Sequence, residues 1–175
     1  MTDPDRTSCA CLIHQRNQTG DPDVDVLVTW VNEGRWTMTG DDLRAWSCTV
    51  GQWHTFRSPE FVICGLSRGE RRHILVKAVI AMEYGLPKLG EVDTQLTSLK
   101  VKTVRVHQSW YGSPLLRIPR AFYGGELPEY RQLIWAEGAE GFPGDEGFDA
   151  GLLERQPDLA IPLPDHPKCV WTALR

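Results

Sequence analysis

The stretch whose reading decides the fold is Trp46-Ser47-Cys48-Thr49-Val50-Gly51-Gln52-Trp53-His54-Thr55-Phe56-Arg57-Ser58-Pro59-Glu60-Phe61-Val62-Ile63-Cys64-Gly65-Leu66. Trp46, Cys48 and Val50 alternate onto one side, as in a half-buried strand. Phe61 to Cys64 is an unbroken apolar run, the pattern of a strand covered on both faces. Pro59 cannot donate to a ladder and marks the entrance of that second strand. The polar, aromatic connection between the strands brings Trp53, His54 and Glu60 close together in sequence.

C-terminal to this unit, Ser67-Arg68-Gly69-Glu70 has the form of a capping box, and Ile74, Leu75, Ala78, Val79 and Met82 follow at helical spacing. A helix is therefore predicted over about Arg68 to Tyr84, closed by Gly85 and Pro87, with His73 and Lys77 on its solvated side. Residues 88–98 read as a connector, and Leu99 to His107 as a strand. The alternation in that strand slips, which implies either a bulge near Thr103 or burial of both faces. Trp110-Tyr111-Gly112-Ser113-Pro114 reads as a turn and Gln132 to Trp135 as the last strand. The glycine-rich acidic segment 136–151 lacks the ligand pattern of a calcium loop, and reads as solvated. A proline-rich tail over the surface follows.

N-terminal to the central unit, Val24, Val26 and Val28 favour a strand. Asp21 as N-cap, Pro22 in the first turn and Gly34 past the end argue instead for a short amphipathic helix lined by Val24, Leu27, Val28 and Val31. The helix is the reading adopted. Arg35 to Met38 then reads as a strand, with a turn at 39–42. These elements predict an α+β fold: a polar lead-in over 1–20, one domain over 21–160 with a mixed or antiparallel sheet of about five strands and helices packed on one face, and a tail over 161–175.

A chain of 175 residues with 41% apolar and 24% charged content is long enough for a proper core. The formal net charge of −4 is uneven: residues 68–131 carry 11 Lys/Arg against 6 Asp/Glu, which leaves −9 for the two flanks. The basic residues are scattered, so the expectation is a solvated face and no nucleic-acid partner. No apolar run is long enough to span a bilayer, and the N-terminus does not read as a signal peptide. A cytoplasmic location and five reduced cysteines are expected.

Three groups of residues carry candidate chemistry. Cys9, Cys11 and His14 near one end, and His166 and Cys169 near the other, supply soft donors for zinc if the termini meet. The alternative is that these are small apolar thiols and surface histidines. His54 and Glu60 form an acid/base pair if the connection folds back, since a nearby carboxylate raises a histidine pKa. Trp53, His107, Trp110, Tyr111 and Tyr123 would line an aromatic pocket; an ordinary aromatic cluster closing one end of the sheet remains the alternative. Cys64 and Cys48 read as buried packing groups. There is no P-loop, dinucleotide fingerprint or Gly-x-Ser-x-Gly, which disfavours phosphate-cradle and classical hydrolase chemistry.

In order, Trp46-Ser-Cys-Thr-Val-Gly51, His54-Thr-Phe56, Pro59-Glu-Phe61, Cys64-Gly-Leu66, Trp110-Tyr111-Gly112, Phe122-Tyr123-Gly124-Gly125 and Gln156-Pro157 resemble a bacterial family, the domain of unknown function numbered 4262. The resemblance spans about Cys11 to Leu159, and Cys11-Leu-Ile-His14 falls where many members carry Cys-x-x-Cys. Two departures stand out. The family's Gly-His-Pro-Glu is Arg57-Ser58-Pro59-Glu60 here, and its Leu-Thr after the glycine is Gln52-Trp53. The resemblance implies a small α+β fold and a bacterial cytoplasmic home, and no activity. Two functional expectations stand: a module that binds a small molecule or a protein through the aromatic and histidine turns, or a small enzyme using His54 and Glu60, with or without zinc.

Overall fold

The computed structural model describes residues 9–15, 19–84, 99–136, 141–143, 145, 148 and 150–173. In chain order its elements are α1 (Leu12–Gln15), α2 (Pro22–Gly34), β1 (Thr37–Asp41), β2 (Trp46–Val50), α3 (Gln52–Phe56), β3 (Glu60–Cys64), α4 (Arg68–Glu83), β4 (Lys100–Arg105), α5 (Arg117–Phe122) and β5 (Tyr130–Ala136), with short 3-10 turns between. The strands form one mixed sheet in the order β1-β2-β3-β5-β4. Among the described residues only the β3–β5 pairing is parallel, with Glu60 opposite Tyr130. The expected α+β class and five-stranded mixed sheet are observed.

Local chemistry accounts for the helix ends. The Asp21 side chain accepts from Asp23 N–H at 3.0 Å, and Pro22 begins α2. The left-handed position after α2 falls to Arg35 (φ 74°), one residue beyond the expected Gly34. Ser67 and Glu70 make the reciprocal capping box: Ser67 N–H reaches the Glu70 carboxylate at 3.0 Å, and Glu70 N–H reaches the Ser67 hydroxyl at 3.4 Å. Gly85, Pro87 and the connector 88–98 lie outside the described residues.

One face of the sheet packs Phe61, Ile63, Val101, Leu133 and Trp135 against Ile74, Leu75, Ala78 and Val79 of α4. Arg71 on α4 is also buried. Its guanidinium holds Ser47 Oγ (2.9 Å), Asp42 Oδ1 (2.6 Å) and the Leu66 carbonyl, pinning the helix to the β1–β2 turn. The other face packs Trp46, Cys48, Val62, Cys64 and Tyr130 against Trp110, Leu115, Leu116, Leu159 and Trp171. The C-terminal segment read as a surface tail thus contributes Trp171 to the interior, where its indole N–H bonds the Glu154 carbonyl at 3.0 Å. Gln132 and Gln156 fasten the preceding stretch to β5: Gln132 accepts from Leu159 N–H (2.8 Å), and Gln156 accepts from Trp135 N–H (3.2 Å).

A third cluster fills the end of the sheet beside β2, where Val50 meets Val24, Leu27 and Val31 of α2, Phe122 and Tyr123 at the end of α5, and Cys9, Cys11 and Leu12. The slipped alternation in β4 is not a bulge. Its register with β5 runs unbroken from Lys100↔Ala136 to Arg105↔Arg131. Both faces of the strand are covered, Val101 by the α4 side and Val104 by Ile134 and Phe142.

Candidate metal centre

The N-terminal segment enters the third cluster through Cys9 and Cys11 and then turns back. Cys11 C=O accepts from His14 N–H (3.1 Å) and Gln15 N–H (3.2 Å), which makes the single turn of α1. That turn sets His14 Nδ1 3.3 Å from Cys11 Sγ. Gly124 at the end of α5 permits this approach: its φ is +70°, and a Cβ there would meet the Ala10 carbonyl oxygen at 2.6 Å.

The fourth group comes from the connection between β2 and β3. Read from sequence as a turn, it contains the five-residue α3. Gly51 precedes it at φ +106°, where a Cβ would lie 2.8 Å from Val31 Cγ1. His54 projects from α3 so that its Nδ1 is 3.1 Å from Cys11 Sγ, and its ring centroid is 4.7 Å from that of His14. One donor atom from each of Cys9, Cys11, His14 and His54 lies within 4.8 Å of every other. Both thiols are buried, His54 is half-buried and His14 is exposed.

The donor chemistry suits a borderline-soft cation. A hydrogen bond from Cys11 pushes the Cys9 thiol down to about 3, and the same bond, with burial, pushes Cys11 up. The hydrogen bond thus favours ionisation of Cys9 over Cys11. A tetrahedral zinc ion with Zn–S of about 2.3 Å and Zn–N of about 2.0–2.1 Å separates its donors by roughly 3.3–3.8 Å. The Cys11–His distances are within a few tenths of an ångström of that range, so a Cys2His2 group capable of holding zinc is assembled here.

The other candidates fall differently. His166 and Cys169 do not join the N-terminal pair. They lie together, Sγ to Nδ1 3.8 Å, with His166 Nε2 accepting from Asp158 N–H at 3.2 Å and its ring edge-on to Trp110. The fourth donor is His54 in their place. His54 and Glu60 are not hydrogen-bonded to each other among the described residues. Glu60 is completely buried and accepts from Thr49 Oγ1 (2.6 Å), Gly51 N–H (2.9 Å), Trp53 N–H (3.1 Å) and the Tyr123 hydroxyl. Burial pushes its pKa above the usual carboxylate range, and the four donors offset part of that rise.

The aromatic pocket does not form either. Trp110 and Tyr123 are fully buried in different clusters, and Trp53 is half-buried beneath the Arg57 guanidinium. His107 and Tyr111 do line a cavity of about 550 Å³ with Arg105, Gln108, Leu127 and Glu129.

Comparison with known families gives a match over residues 26–149, to the family described as Domain of unknown function (DUF4262). The chain belongs to the DUF4262 family. The DUF4262 match is shorter than the motif resemblance at both ends. It contains His54 and Glu60 and leaves out Cys9, Cys11 and His14, so three of the four donors lie outside it. No curated protein and no solved structure matches the chain. No helix among the described residues is long and apolar enough to cross a membrane.

Proposed function

We propose that this DUF4262 protein is a zinc-binding domain in which Cys9, Cys11, His14 and His54 hold one ion. The observation that carries the reading is the convergence of four soft donors within 4.8 Å from two segments forty residues apart in the chain. Two thiolates and two imidazoles as ligands favour zinc over hard cations such as magnesium or calcium. Four protein donors close the coordination sphere, the pattern of a site that stabilises structure rather than one that activates water. The ion would staple the N-terminal segment to α3. Native mass spectrometry of the zinc-saturated protein, with the denatured mass as control, is expected to show one zinc per chain, lost when Cys9 and Cys11 are both changed to Ser and bound more weakly in His54→Ala. Saturated wild type at its bare mass would overturn the proposal.

A second reading rests on the cavity beside His107 and Tyr111. Its volume of about 550 Å³ is within the usual range for small-molecule sites, about 300–1,000 Å³. Its mixed lining, with Arg105, His107, Gln108 and Glu129 beside Val106 and Leu127, would suit a small amphipathic ligand. Ligand-observed NMR with a fragment set should then detect binders displaced by His107→Ala, and no binder at millimolar concentration would count against it.

A further inference from the structure

We infer that Glu60 is the positioning residue of the metal centre: it fixes α3 so that His54 points at the two thiols. This rests on the zinc reading above. With five residues, α3 is far too short to stand by its own hydrogen bonds. Its N-cap is Gly51, which has no side chain to satisfy the first N–H groups. Glu60 does this from nine residues away, one carboxylate oxygen accepting from both Gly51 N–H and Trp53 N–H. His54 is the next residue after Trp53.

The carboxylate is itself held rigidly. Thr49 donates to its other oxygen while accepting from Phe61 N–H at 2.8 Å, and Tyr130 donates to the Thr49 carbonyl at 3.2 Å. The Tyr123 hydroxyl bonds both Glu60 and Gly51 N–H, and its ring packs in the cluster that holds Cys9 and Cys11. One buried carboxylate thus ties the histidine-bearing turn to the wall against which the cysteines rest. Groups that orient a metal ligand typically contribute about 10- to 100-fold to metal affinity.

The test is zinc affinity by competition with a chromophoric chelator, together with the visible spectrum of the cobalt(II) form. Wild type, Glu60→Met, Glu60→Gln, Tyr123→Phe and a control, Ile74→Val in the α4 cluster, would be compared. Glu60→Met should bind zinc about 10- to 100-fold more weakly and lose tetrahedral d–d intensity while keeping sulfur-to-cobalt charge transfer. Glu60→Gln, whose amide oxygen still accepts both N–H groups, should recover most of the affinity. Ile74→Val should bind as wild type, separating positioning from a loss of stability. If Glu60→Met does not fold, Tyr123→Phe decides: weaker binding supports the inference and wild-type binding overturns it. A folded Glu60→Met with wild-type affinity and spectrum overturns it while leaving the metal site standing. A wild-type protein that binds neither metal removes the zinc reading itself.

Discussion

Two glycines hold the candidate metal centre open from outside its donor set. Gly124 leaves room for the Ala10 carbonyl between the two cysteines, and Gly51 lets β2 turn into α3 against Val31. Gly124→Ala would combine a left-handed backbone, costing an alanine about 1–2 kcal/mol, with a backbone clash that no side-chain rotation relieves. We expect zinc affinity to drop at least tenfold, measured by chelator competition, with smaller losses in the rest of the fold. At this scale the sequence was half legible. Cys9, Cys11 and His14 announce donors by their spacing, whereas the Cys11–His54 contact spans 43 residues. Glu60 stood closer to His54 along the chain and so was its apparent partner, although the fold gives Glu60 to backbone N–H groups.

At the scale of elements, legibility follows where the stabilising groups reside. The capping box of α4 is made by residues three apart, and the helix is found where spacing and cap place it. By contrast, Trp53, His54, Thr55 and Phe56 are weak helix formers, and α3 exists because Glu60 holds its start and Arg57 takes a left-handed conformation at its end. Likewise the broken alternation of β4 reflects cover on both faces, which no period can report. Ser67→Ala should cost about 1 kcal/mol in urea unfolding at neutral pH. The Ser67 hydroxyl and N–H hold the Glu70 carboxyl below its usual range. That stabilisation is therefore present above the unfolded carboxylate value and is lost as pH falls through the lowered folded value. The gap between wild type and Ser67→Ala should narrow in the same titration at acid pH; a constant gap would remove Glu70 from the cap.

Across the whole molecule, the sheet is covered by unlike layers: α4 on one face, and 3-10 turns with the C-terminal segment on the other. The class and strand number follow from hydrophobic patterning, but the docking of the last residues depends on Trp171, Gln156 and Gln132, whose partners are distant in sequence. Trp171→Ala should destabilise the protein by about 3–5 kcal/mol, read by chemical denaturation, whereas a surface tail would tolerate it. Zinc at a hundredfold excess over its dissociation constant should add about 2.7 kcal/mol by mass action, so the chelated protein should melt several degrees lower.

The most direct measurement is zinc K-edge X-ray absorption on the zinc-loaded 175-residue chain. A Cys2His2 centre gives two sulfur neighbours at about 2.3 Å and two imidazole nitrogens at about 2.0–2.1 Å, with one imidazole lost in His54→Ala. A coordination sphere of oxygen and nitrogen without sulfur, or one that His54→Ala leaves unchanged, would contradict it.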